Sequence, residues 1–215
     1  MTDREITAAM EKVQADPVYQ RIAEVAHQIH EASIKAVAED PLRPELVLLI
    51  EDPELLLRFA CRAMRWGMRE KGRAWPSFFF FTRRSVHSMF LLTMPEGQLA
   101  QAGLCAVLQA LLIRSPIEAY WIGCEAWMAN YDRRHQDPAV FNLGPADRED
   151  REEAVVIATG QRAGARHNLA THRIVRDSQG GVLDLAHFTP DQPPDESLGD
   201  FVMVRNLYDF PEHLR

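Results

Sequence analysis

Apolar residues recur at helical spacing through the first third of the chain and at a spacing of two through much of the rest. From Pro17 to Glu39 they fall at Ile22, Val25, Ala26, Ile29, Ala36 and Val37, one face of a helix. Asp16-Pro17 reads as an N-cap followed by proline at the first helical position. Asp40-Pro41 ends the helix, because the residue before a proline is pushed out of helical geometry. The same device at Asp52-Pro53 opens a second helix to about Lys71, with Gly72 as its stop and Leu56, Phe59, Ala60, Ala63 and Gly67 on its apolar side. Between the two, Leu46–Ile50 is too short and too uniformly apolar for periodicity to separate strand from helix. Residues 1–15 read as a weak helix or a frayed arm.

After Trp75-Pro76 the pattern changes. Residues 77–82 (SFFFFT) are strand-like, and residues 85–93 fit either strand or helix. From Pro95 to about Ile113 a helix is apolar nearly all round, which predicts a buried element covering a sheet. Residues 119–129 follow as a strand, so the Phe-rich strand, this helix and the 119–129 strand predict a parallel βαβ unit with a right-handed crossover. The segment 130–152 is long, polar and rich in Asp, Arg and Pro; loops of that length tend to carry function. Ala154–Ala158 is a strand, Leu169–Arg176 its antiparallel partner, and 177–181 (DSQGG) a turn leading to a returning strand over 182–188. A proline-rich acidic loop (189–199), an edge strand (201–204) and a surface tail (209–215) complete the reading. The expected fold is α+β: helices in residues 1–75 packed on a mixed, mostly antiparallel sheet from residues 76–215, the two forming one continuous domain.

The 119–129 strand organises this picture. Period two places Tyr120, Ile122, Cys124, Ala126 and Met128 on one face and Trp121, Gly123, Glu125, Trp127 and Ala129 on the other. Both faces are apolar, as in a strand covered on two sides. Glu125, set between two indoles, is the exception; buried there, its charge requires a cation or hydrogen-bond donors. One reading makes Glu125 a general acid or base, or a metal ligand helped by acids of the 130–152 loop. The plainer reading pairs it with Arg166, Arg173 or Arg176 to fix strand register.

Charge changes the picture at one place. The net charge is −7, which argues against generic nucleic-acid binding. Yet between Glu54 and Arg84 there are eight cations against two anions. Arg58, Arg62, Arg65, Arg69 and Arg73 form a stripe along the second strong helix. Such a stripe suits an anionic ligand or an acidic protein surface; alternatively it is a solvated face balanced by the acidic C-terminal half.

Other chemistry is thinner. Cys61, Cys105 and Cys124 are widely spaced without a CxxC pair and read as reduced, buried thiols. Glu24, His27, His30 and Glu31 share one helix region, but the Glu-x-x-His element of carboxylate-bridged metal bundles occurs there only once, and HExxH and Cys/His zinc spacings are absent. The expectation is no metal and no cofactor. GxSxG, the P-loop, GxGxxG and the kinase motifs are missing. No signal-peptide pattern and no apolar run of membrane-spanning length is present, so the expected location is cytoplasmic.

The order Glu125-Ala-Trp127, a polar loop, then 147–153 (DREDREE) running into Ala154-Val-Val-Ile157 resembles a pattern in uncharacterised bacterial and phage-associated proteins. The resemblance covers residues 119–160 and implies a strand-loop-strand unit with no known activity. The functional expectation is a non-catalytic accessory or interaction protein that meets a protein or anionic ligand through the arginine stripe or the 130–152 loop. The alternatives are a hydrolase-like enzyme built on Glu125, and a homo-oligomeric structural subunit that associates through the Phe78–Phe81 strand.

Overall fold

The computed structural model describes residues 16–95, 98–128, 149, 151–187 and 206–208. The expected N-terminal arm, most of the polar 130–152 segment, the acidic loop, the 201–204 strand and the tail lie outside the described residues. Helix α1 spans Pro17–Glu39, α2 Pro44–Glu51 and α3 Pro53–Lys71. Strands β1 (Ser77–Phe81) and β2 (Val86–Phe90) precede α4 (Gln98–Arg114). Then come β3 (Ala119–Met128), β4 (Glu152–Gln161), β5 (Arg166–Arg176) and β6 (Val182–His187). The fold is α+β, with the N-terminal helices packed on the sheet.

The Asp-Pro punctuation acts as the residue types require. The Asp16 carboxylate accepts the Val18 N–H at 2.8 Å, and Asp52 accepts the Glu54 and Leu55 N–H groups at 3.0 Å. Each cap stabilises its helix by about 1 kcal/mol. Gly72 ends α3 in the left-handed region at φ 71°, where a side chain would be strained. The two ambiguous stretches resolve in opposite ways. Residues 46–50 lie inside α2, which begins at a proline, and 86–90 become a strand paired with β1.

The strand order is β2-β1-β3-β4-β5-β6, and every adjacent pair is antiparallel. This corrects the expected mixed sheet and its crossover. β1 runs antiparallel to β3, so the Phe-rich strand is not the partner of the 119–129 strand in a parallel unit. The hairpin into β2 reverses the chain before α4 begins. The strands joined through α4 are therefore β2 and β3, which point the same way but are separated by β1.

Two cores lie on opposite faces of the sheet. On one, α1 (Tyr19, Ile22, Ala26, Ile29) and α4 (Leu104, Leu108, Leu111, Leu112) cover Phe78, Phe80, Tyr120, Ile122, Cys124, Val156 and Ala158. On the other, α2 (Leu46, Ile50) and α3 (Leu56, Ala60, Met64, Met68) cover Phe81, Trp121, Val155 and Ile157, with Ile174 and Leu185 beyond them. Burying each large apolar side chain contributes about 1.5–3 kcal/mol. Arg162 binds the first roof to the sheet, donating to the carbonyls of Leu112 and Ser115 at the end of α4. A cation suits that end of a helix.

Tyr120 is fully buried; its hydroxyl accepts the Leu207 N–H at 3.0 Å and sits 3.4 Å from His167 Nδ1. Gly160 lies across from it, and a Cβ there would run into the Tyr120 ring. A Cβ at Gly123 would instead lie 2.7 Å from the Met64 sulfur, on a side chain that can turn away. Gly160→Ala is expected to destabilise the fold by roughly 1–3 kcal/mol, and Gly123→Ala by less. Urea denaturation of the two variants checks the order.

Burial holds the proton affinities of His87 and His167 below the ordinary imidazole value of 6.5. The unfolded chain therefore binds protons first as pH falls. Stability is expected to be fully present above about pH 6.5 and to decline below it, with a shallower decline in His167→Gln. Denaturant midpoints measured across that range test the sign.

Candidate functional site

α3 has two unlike sides. Leu56, Ala60, Met64 and Met68, four residues apart, are buried against the sheet. The opposite side carries the arginines, and the structure divides them. Arg65 and Arg69 reach Asp184 on β6 at 3.5 and 3.4 Å, and Arg65 also donates to the Leu185 carbonyl at 3.0 Å. These two tie the helix to the far edge of the sheet. Arg73 lies over the Trp75 ring at 3.8 Å. Arg58 and Arg62 are exposed and make no ion pair or hydrogen bond among the described residues.

Two aromatic side chains join the free pair. Trp66 is 67% exposed and Phe59 is 44% exposed. Phe59, Arg62 and Trp66 are spaced by three and four residues, so they line one ridge, with Arg58 a turn before Arg62. This corrects the placement of Phe59 on the apolar, core-facing side. The helical pattern alone could have flagged Trp66, since it falls four residues after Arg62 and outside the Leu56–Met68 row.

Glu125 sits where the period-two pattern places it, on the α3 face of β3, but it is exposed. The expectation of a buried carboxylate is overturned, and the reason is geometric. Trp121 is 2% exposed beneath α3, whereas Trp127, farther along the same face, is 42% exposed. The helix ends at Lys71, short of that part of the strand. The Glu125 carboxylate accepts the Ala74 backbone N–H and so fastens the loop leaving α3. None of the three arginines proposed to neutralise it does so: Arg173 pairs with Glu152 at 3.6 Å, Arg176 with Glu153 at 2.5 Å, and Arg166 belongs to the other end of the sheet.

Other reactive types are brought together without sequence warning. Cys61 Sγ lies 3.4 Å from His172 Nε2, but burial raises the thiol's pKa, which disfavours the thiolate a nucleophile needs. Cys124 is pushed up to about 12 by burial and then by Glu125, and is an inert thiol at neutral pH. Ser85 Oγ is 2.8 Å from His87 Nε2 and 2.9 Å from Thr82 Oγ1, a network that closes the β1–β2 turn. His30 Nδ1 is 3.0 Å from Ser115 Oγ, joining α1 to the end of α4. Among the described residues, no three His, Cys, Asp or Glu side chains gather as a metal site. No described helix is long and apolar enough to cross a membrane.

No protein-family model matches the chain, and no match was found among the curated proteins or the solved structures. The candidate site therefore stands on its geometry. Because Glu125 works as an acceptor for one backbone N–H, Glu125→Gln is expected to keep stability within about 0.5 kcal/mol, and Glu125→Ala to cost roughly 1 kcal/mol. Equilibrium unfolding of both variants tests whether the acceptor or the charge matters.

Proposed function

We propose that this chain is a non-catalytic accessory protein of the cytoplasm that docks an acidic partner protein through the outer ridge of α3. The observation that carries the reading is the grouping of two exposed arginines without a partner among the described residues, Arg58 and Arg62, with two exposed aromatics, Phe59 and Trp66. Arginine and tryptophan dominate protein-binding hot spots: the ring fills a pocket on the partner while the guanidinium binds carboxylates in bidentate fashion. In a chain of net charge −7, these two cations have no ion-pair partner among the described residues while Arg65 and Arg69 take Asp184, a local asymmetry that attracts an acidic surface. The Phe78–Phe81 strand is a poor alternative for association. It is flanked by β2 and β3, and Phe78, Phe80 and Phe81 are buried.

A fluorescently labelled Asp/Glu-rich peptide that carries leucines is a direct probe. The wild-type chain is expected to bind it with a salt-dependent affinity, and Arg58→Glu/Arg62→Glu and Trp66→Ala to weaken it by about tenfold or more each. All of these residues are exposed, so unfolding midpoints should stay within about 0.5 kcal/mol of wild type. Equal binding by the variants, or preference for a single-stranded oligonucleotide over the peptide, would overturn the reading.

A further inference from the structure

At the end of the sheet away from Glu125, a cavity of about 330 Å³ opens between α2, the β1–β2 turn and the β4–β5 connection. That volume is at the small end of ligand pockets. Glu51 from α2, Arg83 from the turn, Glu118 ahead of β3, Gln161 at the end of β4 and Arg166 at the start of β5 line it.

The charges within it are unevenly satisfied. Arg83 Nε donates to both oxygens of Glu118 at 3.2 and 3.1 Å. Glu51 forms a 3.6 Å ion pair with Arg83, without a hydrogen bond, and so shares that guanidinium with Glu118. Arg166 has no ion-pair partner among the described residues, so a carboxylate and a guanidinium face one cavity without meeting each other. Gln161 adds a second unmet demand. It is 3% exposed, and its amide nitrogen has no hydrogen-bond partner among the described residues. Buried polar atoms are rarely left in that state.

We infer that this cavity binds a small zwitterion of amino-acid size, its ammonium against Glu51 and its carboxylate against Arg166 and the Gln161 amide. The two carboxylates and two guanidiniums of the lining cancel, so the cavity attracts neither a net anion nor a net cation. A molecule carrying both charges spans the gap that Glu51 and Arg166 leave open. This site is separate from the α3 ridge and stands or falls independently of it.

The test is calorimetric titration of the full chain with a panel of free L-α-amino acids. Each is matched by its deaminated carboxylate and its decarboxylated amine, with inorganic phosphate as a further control. At least one amino acid is expected to bind, and its two half-ligands to bind about tenfold more weakly or worse. Arg166→Ala and Glu51→Gln alter exposed side chains and should leave thermal unfolding unchanged while each lowers the affinity about tenfold. If no amino acid binds, if the half-ligands or phosphate bind as well as the zwitterion, or if both variants bind like wild type, the inference fails.

Discussion

A strand that is apolar on both faces has to be roofed twice, and the arrangement of this molecule follows from that requirement. β3 presents Tyr120, Ile122 and Cys124 to one side and Trp121 to the other, all buried. Neither set is stable in water, and one helical layer covers only one of them. α1 and α4 close the first face, α2 and α3 the second. With β3 and β4 at the centre, the sheet can be wholly antiparallel and still carry the both-sides-buried pattern more often associated with parallel sheets.

The second roof also explains where the molecule meets solvent with something to offer. α3 spends one row of residues on the sheet, which leaves the opposite row to water and to partners. Part of that row is drawn back into the structure by Asp184 on β6. What remains is a ridge where cations alternate with aromatic rings, Arg58, Phe59, Arg62 and Trp66, all exposed. At the other end α3 stops at a left-handed glycine, and the strand beneath continues past it, uncovering Glu125 and Trp127.

Much of the fold was legible because its punctuation is chemical. Asp-Pro pairs, Gly72 and the period-two alternation of 119–128 each dictate local geometry whatever the surroundings. The direction of β1 was not legible, since it depends on whether residues 86–90 pair back on it, and VHSMF is ambiguous as a short run. Residues 46–50 failed for the same reason. For the candidate site, the alternation assigned Glu125 to the correct face but could not reveal its exposure, because exposure depends on the length of a helix elsewhere in the chain. The arginine stripe was visible as composition. Which arginines are committed was not, because Asp184 lies more than a hundred residues away in sequence.

Hydrogen exchange on the intact chain tests the doubly roofed strand most directly. The amides of Tyr120–Cys124 and Val155–Ala158 should exchange only through global unfolding, far more slowly than those of β2 and β6, the outermost strands of the described sheet. Exchange in β3 as fast as in Val86–Phe90 would mean that at least one of its faces is open to water, and the account built on it would be wrong.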